Sequence, residues 1–332
     1  MRIAIVGAGA LGRVYGVRLA LAGEDVRFVV RPARAASPEP FILEQVNGDR
    51  VRSVLDHPTL TTSVPADSDV IVVAVHLDQA VESAGGKEGA TVTELLRAAP
   101  NVPLVTLLPL FPKQLAALEA ATKKTVVSGM PGVTAYIDER GTLRYWVPKA
   151  AVTFIDIRAQ RTAAEELARK LTRLHIPTQL ERDVAALNAG TTIAFFPFTA
   201  ALGIAGSVDG VLGNKELVHA VIDAARECEV LAKKVGRVAS WAQLLSRFIG
   251  PFTLKPGVAL ARRIAPESVR FVETHFGQKL SGQHAVIGAS ILEMGRERGV
   301  PMPELTRLLA MDPKRGEQAA VAAGPDPQAR PV

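Results

Sequence analysis

A single cysteine, Cys228, in 332 residues excludes an internal disulfide and any thiolate-rich metal centre, and suits a reducing, cytoplasmic setting. Histidine is also scarce, at six, with no two spaced as His-x-x-x-His, so no metal site is expected. Aromatics make up 5% of the chain, which leaves aliphatic side chains to fill the core. Basic residues outnumber acidic ones by enough to give a formal net charge of +6. They are spread out rather than run together, so nucleic acid is not an expected partner, while an anionic ligand is compatible. The chain opens with Met1-Arg2 straight into a strand pattern, not the apolar run of a signal peptide. Charge is missing altogether from Val184 to Ser207. Asn188, Thr191, Thr192, Pro197 and Thr199 interrupt that stretch, as do Gly190, Gly203 and Gly206. It therefore reads as a helix buried in protein, with no membrane expected.

What is present is an ordinary globular balance, 48% hydrophobic and 22% charged, with length for two domains. Arg2-Ile3-Ala4-Ile5-Val6 reads as a buried strand, and Gly7-Ala8-Gly9-Ala10-Leu11-Gly12 follows at once. Arg13 to Ala22 has helical spacing, Gly23 stops it, and Val26 to Val30 is a second strand. Strand, glycine turn, helix and strand in this order and length form the βαβ unit that binds a dinucleotide. Gly7 serves the tight turn, Gly9 the approach of a pyrophosphate, and Gly12 the packing of helix on strand. The helix N-terminus offers free N–H groups and a positive dipole end to the phosphates.

The end of the second strand selects the cofactor. An acidic residue there would hold the ribose hydroxyl of NAD, whereas this chain has Arg31, with Arg34 three residues on. A guanidinium can grip a 2′-phosphate, so NADP is expected. Glu24 and Asp25 come too early to compete.

Further apolar runs at Asp69–Val75, Val102–Leu108, Thr125–Ser128 and Ala151–Ile157 read as strands. Val133–Trp146 reads as a hairpin turning at Glu139-Arg140-Gly141, and Thr162–Leu174 as an amphipathic helix. From Asp183 strand patterns stop and helical ones take over, at Asp183–Ala205, Glu216–Val235 and Pro266–Arg298. The expected fold is α/β: a Rossmann domain with a parallel sheet over residues 1–182, an all-α substrate and dimerisation domain over 183–311, and a flexible tail over 312–332.

On these residues the chain resembles the ketopantoate reductases (2-dehydropantoate 2-reductases), whose C-terminal domain is like that of 6-phosphogluconate dehydrogenase. The resemblance is carried by Ile3 to Gly12, Arg31, Val75-His76-Leu77-Asp78-Gln79 and Pro197-Phe198-Thr199-Ala200. Glu227 before Gly236 and the run from Gly299 to Glu304 add to it. It implies hydride transfer from NADPH to a 2-keto acid, with a lysine on the interdomain helix as proton donor, asparagines orienting the substrate and a glutamate in the C-terminal domain.

Several of those family positions hold other residues here. With Pro197 to Ala200 as anchor, the lysine falls on Asn188 and the two asparagines on Thr192 and Phe196. The glutamate falls on Gln283, the lysine after the fourth strand on His76, and an Asn-Gly turn near Pro109-Leu110-Phe111. Asn188 cannot act as a general acid. With Phe111, Phe195, Phe196 and Phe198 near the site, the expected substrate is a small molecule larger or more hydrophobic than ketopantoate.

Candidate catalytic residues are Asn188 and Thr192, one helical turn apart, and His275, Lys279 and Gln283, at four-residue steps in a helix that also carries Glu273 and His284. Candidate cofactor residues are Gly7, Ala8, Gly9, Ala10, Leu11, Gly12, Arg31 and His76, the last at a strand's C-terminal end. The leading expectation is an NADPH-dependent reductase of a carbonyl or imine. The alternatives are a non-redox cyclase or isomerase, or an NADPH-binding regulatory protein. A homodimer is allowed for, the oligomeric state otherwise staying open.

Overall fold

The structure is a computed structural model, and it describes residues 1–48, 50–81, 92–138, 140–148, 151–240, 242–243, 250, 252–264, 266–277 and 281–312. It divides into two compact units: Met1–Thr192 with Gly236–Trp241, and Ile193–Val235 with Ala242 onward.

The first unit is built on an eight-stranded sheet. Its strands are β1 (Arg2–Val6), β2 (Asp25–Val29), β5 (Thr59–Thr61), β6 (Val70–Val73), β7 (Leu104–Thr106), β8 (Val126–Met130), β11 (Thr153–Asp156) and β12 (Thr178–Glu181). They lie in the order β12-β11-β8-β7-β6-β1-β2-β5. All run parallel except β11 and β12, which are parallel to each other and antiparallel to β8. β1 is central, paired with β2 on one side and β6 on the other, and its Ile3 to Val6 are buried. This explains the unbroken apolar runs of β1 and β6: a parallel strand covered on both faces has no solvent side to make polar.

The glycine turn leads into helix α1 (Ala10–Leu21), which buries Val14, Tyr15, Val17 and Leu19. Short α2 (Pro32–Ala35) and α3 (Leu77–Val81) follow β2 and β6, and α4 (Val92–Ala98), α5 (Pro112–Thr122) and α6 (Arg161–Arg173) complete the layer structure. A second sheet of four strands has the order β4-β3-β10-β9, with β3 (Phe41–Gln45), β4 (Arg52–Leu55), β9 (Thr134–Ile137) and β10 (Leu143–Trp146). The 133–146 hairpin therefore forms as expected, but in this smaller sheet. Its Leu143 and Tyr145 join Phe41, Leu43 and the buried face of α1 in one core. Tyr15 bonds Thr153 Oγ1 at 2.8 Å, and Arg18 donates to the Tyr145 hydroxyl at 2.7 Å, pinning α1 to both sheets.

Helix α7 (Val184–Ala205) starts in the first unit and ends in the second, the division falling after Thr192. Its most apolar window has mean hydropathy 1.3 and is 67% buried, as a helix in a protein interior is. Its N-terminus is capped by Asp156, whose Oδ2 accepts from Val184 N at 3.0 Å and which also holds Arg158. The regular elements of the second unit's described residues are all helices. They include α8 (Val208–Gly213), α9 (Lys215–Val235), α10 (Leu254–Ile264), α11 (Pro266–Gly277), α12 (Ser281–Glu297) and α13 (Pro303–Ala310). Of the helix expected over 266–298, α11 and α12 are helical, and residues 278–280 between them lie outside the described residues. Glu227 of α9 caps α13, its carboxylate accepting from Glu304 N at 3.0 Å and Leu305 N at 2.9 Å. Among the described residues strands stop before α7, the last being β12.

Candidate functional site

The sheet order reverses at β1: the chain moves outward through β2 on one side and β6 then β7 on the other. Ligands of open α/β sheets lodge at that switch, beyond the carboxyl ends of the strands. Gly7 leaves β1 there, and the loop after β6 arrives beside it.

Three glycines of the turn have three different reasons to be glycine. Gly7 has φ +99°, and a Cβ on it would lie 2.8 Å from both the Ala74 carbonyl oxygen and Val75 Cγ1. The turn is therefore packed onto the β6–α3 loop, which brings His76 to the rim. Gly12 is helical, and a Cβ there would sit 1.9 Å from the Gly7 carbonyl oxygen. Gly9 has φ −73°, a value open to any residue, and no atom of the described residues lies within 4 Å of where its Cβ would be. The fold does not require glycine at 9, and the absence of a side chain leaves the backbone open to a group approaching from outside the chain.

That approach leads to unpaired donors. Gly9 is the N-cap of α1 but makes no side-chain cap bond, and the first turn has no acidic residue. The first helical hydrogen bond runs from Arg13 N to Gly9 O at 3.0 Å. The N–H groups of Ala10, Leu11 and Gly12 precede it and are the orphan donors of the helix end, where the dipole is positive. Ala8 and Ala10, half-buried, add no side chain that would fill the space. The residues present fit a dinucleotide diphosphate.

Arg31 stands at the end of β2 as the N-cap residue of α2, exposed, with no side-chain bond among the described residues. Arg34, a turn further, donates Nη1 to Glu39 Oε2 at 2.8 Å. The acidic residues near β2 are engaged elsewhere. Asp25 opens β2 rather than preceding it and pairs with Arg27, while Glu24 pairs with Lys170. His76 is exposed, its backbone N–H donating to Gln79 Oε1 at 3.3 Å and its carbonyl starting α3.

Asn188 is 1% exposed, and its Nδ2 donates to the carbonyls of Leu108 and Gly129, each at 3.3 Å. The amide thus ties α7 to the carboxyl ends of β7 and β8. Its Oδ1 is buried without a partner among the described residues, as is Ser128 Oγ in β8. The neighbouring Thr191 hydroxyl accepts from Ala239 N at 3.0 Å, whereas Thr192 is half-buried with no bond of its own among the described residues.

In the second unit, Lys279 lies outside the described residues, and the side chains of His275 and Gln283 do as well. Glu273 caps α8 through Val208 N at 2.9 Å. His284 is the titratable group that the helix pair buries. Its ring packs edge-on to Phe196 at 6.1 Å, in the gap left by Gly203, where a Cβ would be 2.7 Å from Nδ1. Nε2 is buried without a partner among the described residues.

Burial pushes the His284 pKa down to about 4, with Asp312 opposing. The unfolded chain, with an imidazole near 6.5, then takes up its proton first. Stability from this group is full above pH 6.5 and is lost as the pH falls toward 4, about 3 kcal/mol in all. Urea unfolding at pH 7.5 and pH 4.5 should show this drop in the wild type. In His284→Gln the drop should be smaller by a similar amount, and an unchanged pH slope would remove His284 as its source.

Among the described residues no group of His, Cys, Asp or Glu could hold a metal ion. Arg13, Phe41 and Glu39 surround the β2 side of the site and were not identified from sequence. Arg13 directly follows the glycine motif, and that position was the one available signal.

The family model described as ketopantoate reductase PanE/ApbA matches residues 3–85. No curated protein matches the chain. Among solved structures, a PanE/ApbA family ketopantoate reductase from Ralstonia eutropha is 17% identical, with TM-score 0.71, over 96% of this chain and 100% of that one. A 2-dehydropantoate 2-reductase from Geobacter metallireducens is 21% identical with TM-score 0.64, over 96% and 100%. A ternary structure of D-mandelate dehydrogenase with NADH and anilino(oxo)acetate is 15% identical with TM-score 0.67, again over 96% and 100%. The resemblance read from the glycine turn is therefore matched by the ketopantoate reductase family model over the first quarter of the chain, and the fold along nearly all of it is that of the PanE/ApbA proteins.

Proposed function

We propose that the chain is an NADPH-dependent reductase of a carbonyl or imine, acting on a substrate larger or more hydrophobic than ketopantoate. The observation that carries this is Gly9: a glycine that neither its backbone angle nor its neighbours require, at an uncapped helix end with free donors. The N–H groups of Ala10, Leu11 and Gly12 hold the diphosphate, and Arg31 meets the 2′-phosphate. The bound coenzyme supplies hydride. D-mandelate dehydrogenase is seen with NADH, but here the cations after β2 argue for the phosphorylated coenzyme.

Asn188 replaces an ammonium by a neutral amide that is already bonded to two backbone carbonyls. It orients through its unpartnered Oδ1 and cannot supply a proton. A small doubly polar keto acid would find little charge to bind it there. An imine, already basic, demands less of an enzyme acid.

The same amide favours a second reading, in which the coenzyme site is kept for non-redox chemistry or for regulation. Absorbance at the nicotinamide band with a panel of ketones and imines separates the two. Coenzyme consumption supports reduction, and tight binding without turnover supports the second reading.

Arg31→Glu should weaken NADPH by roughly tenfold or more, since it removes a charge-assisted bond and adds repulsion. NADH binding should change little. An equal loss for both, or no loss, would take Arg31 out of this role.

A further inference from the structure

Three arginines border the glycine turn on its β2 side, and the chain holds them differently. Arg31 is exposed and unattached among the described residues. Arg34 is engaged by Glu39 at Nη1, yet its Nε is buried with no partner among the described residues. Arg13 is held on two sides. Its Nε donates to the Ala8 carbonyl at 2.8 Å, and its guanidinium lies over the Phe41 ring at 4.6 Å. Phe41 is fully buried and sits edge-on against Phe28, with centroids 5.0 Å apart, so the platform is rigid.

Arg13 forms no ion pair with any carboxylate among the described residues. Burial, then the nearby charge of Arg34, lowers its pKa, and Glu39 only partly offsets them. A half-buried cation without a counter-ion, close to a second cation, opposes folding unless something anionic joins them. A structural arginine would be expected to pair with an acid. This one is fixed in place with its remaining N–H groups uncommitted among the described residues.

We propose that Arg13 and Arg34 complete the grip on the adenosine 2′-phosphate that Arg31 begins, and that Glu39 is a built-in competitor which yields the Arg34 fork to the phosphate. This rests on the NADPH reading above. Glu39 is 65% exposed, so it swings into water without stranding a buried charge. Its presence weakens phosphate binding and thereby sets the margin between the two nicotinamide coenzymes. A phosphate monoester carries up to two charges and three acceptor oxygens. It can satisfy the free donors of three guanidiniums where one carboxylate cannot.

The test is calorimetric titration of the full chain with adenosine 2′,5′-bisphosphate and with 5′-AMP, for the wild type, Arg13→Met and Glu39→Gln. Arg13→Met should weaken the bisphosphate by roughly tenfold or more and 5′-AMP by less than about threefold. Glu39→Gln should tighten the bisphosphate by about threefold to tenfold and leave 5′-AMP unchanged. Equal effects on both compounds, or tighter binding in neither, would overturn the assignment. Should Arg13→Met fail to fold, the exposed Glu39 variant still decides. A wild type that binds neither compound nor NADPH defeats the coenzyme reading and this proposal together. A wild type that binds the bisphosphate tightly, with both variants equal to it, defeats only the roles of Arg13 and Glu39.

Discussion

Gly12→Ala is expected to destabilise the protein by about 3 kcal/mol or more, a large share of a typical domain's stability. The added methyl would meet the Gly7 carbonyl oxygen at 1.9 Å. That oxygen is backbone, fixed in a turn whose φ of +99° is set by packing against Ala74 and Val75, so no rotamer change can relieve the clash. Helix propensity, which favours alanine over glycine by about 1 kcal/mol, is too small to offset it. Urea unfolding would show a lower midpoint, or the protein would be recovered insoluble. A midpoint equal to the wild type would mean that α1 can move off β1, and the close approach would lose its role in shaping the turn.

Gly9→Asp should do the opposite to the fold and more to the ligand. Position 9 is an N-cap with extended backbone and empty space around it. Aspartate is among the best N-cap residues, and its charge suits the positive end of the helix. Stability should stay level or rise by up to about 1 kcal/mol. The same carboxylate would take the donors of α1 and repel a diphosphate. NADPH binding should fall by roughly 100-fold or more, since like charges brought together cost several kcal/mol. Thermal unfolding and titration of one sample read both effects. Loss of binding with loss of stability would make Gly9 a folding residue, and retained binding would move the diphosphate elsewhere.

The opposed expectations for these two glycines also show how much of the site was legible. The motif marked Gly7, Gly9 and Gly12 from spacing alone, because a tight βαβ crossover leaves few ways to place them. It could not show which of them the chain itself needs, since that depends on the carbonyl and side-chain atoms that fold back onto the turn. Gly16 escaped notice for the same reason. Its hydrogen faces Phe28, where a Cβ would stand 2.4 Å from the ring, a contact between elements that no local pattern announces.

β6, β7 and β8 of the large sheet were legible because their runs are apolar with little interruption. β3, β4, β5 and β12 were not, being short and mixed in character: Phe41 and Leu43 are buried while Glu44, Gln45, Gln179 and Leu180 are not. Arg13 read as a generic helix residue until Phe41 came to lie beneath it. Asn188 was placed correctly on its helix, but its bonds to Leu108 and Gly129 depend on strands some sixty and eighty residues earlier.

Titration of the purified wild-type chain with NADPH and NADH in parallel bears most directly on the coenzyme site. Saturable binding of NADPH, at least about tenfold tighter than NADH, is the result expected from free helix amides flanked by unpaired guanidiniums. Heat of dilution alone for both coenzymes would contradict it and leave the glycine turn as inherited architecture.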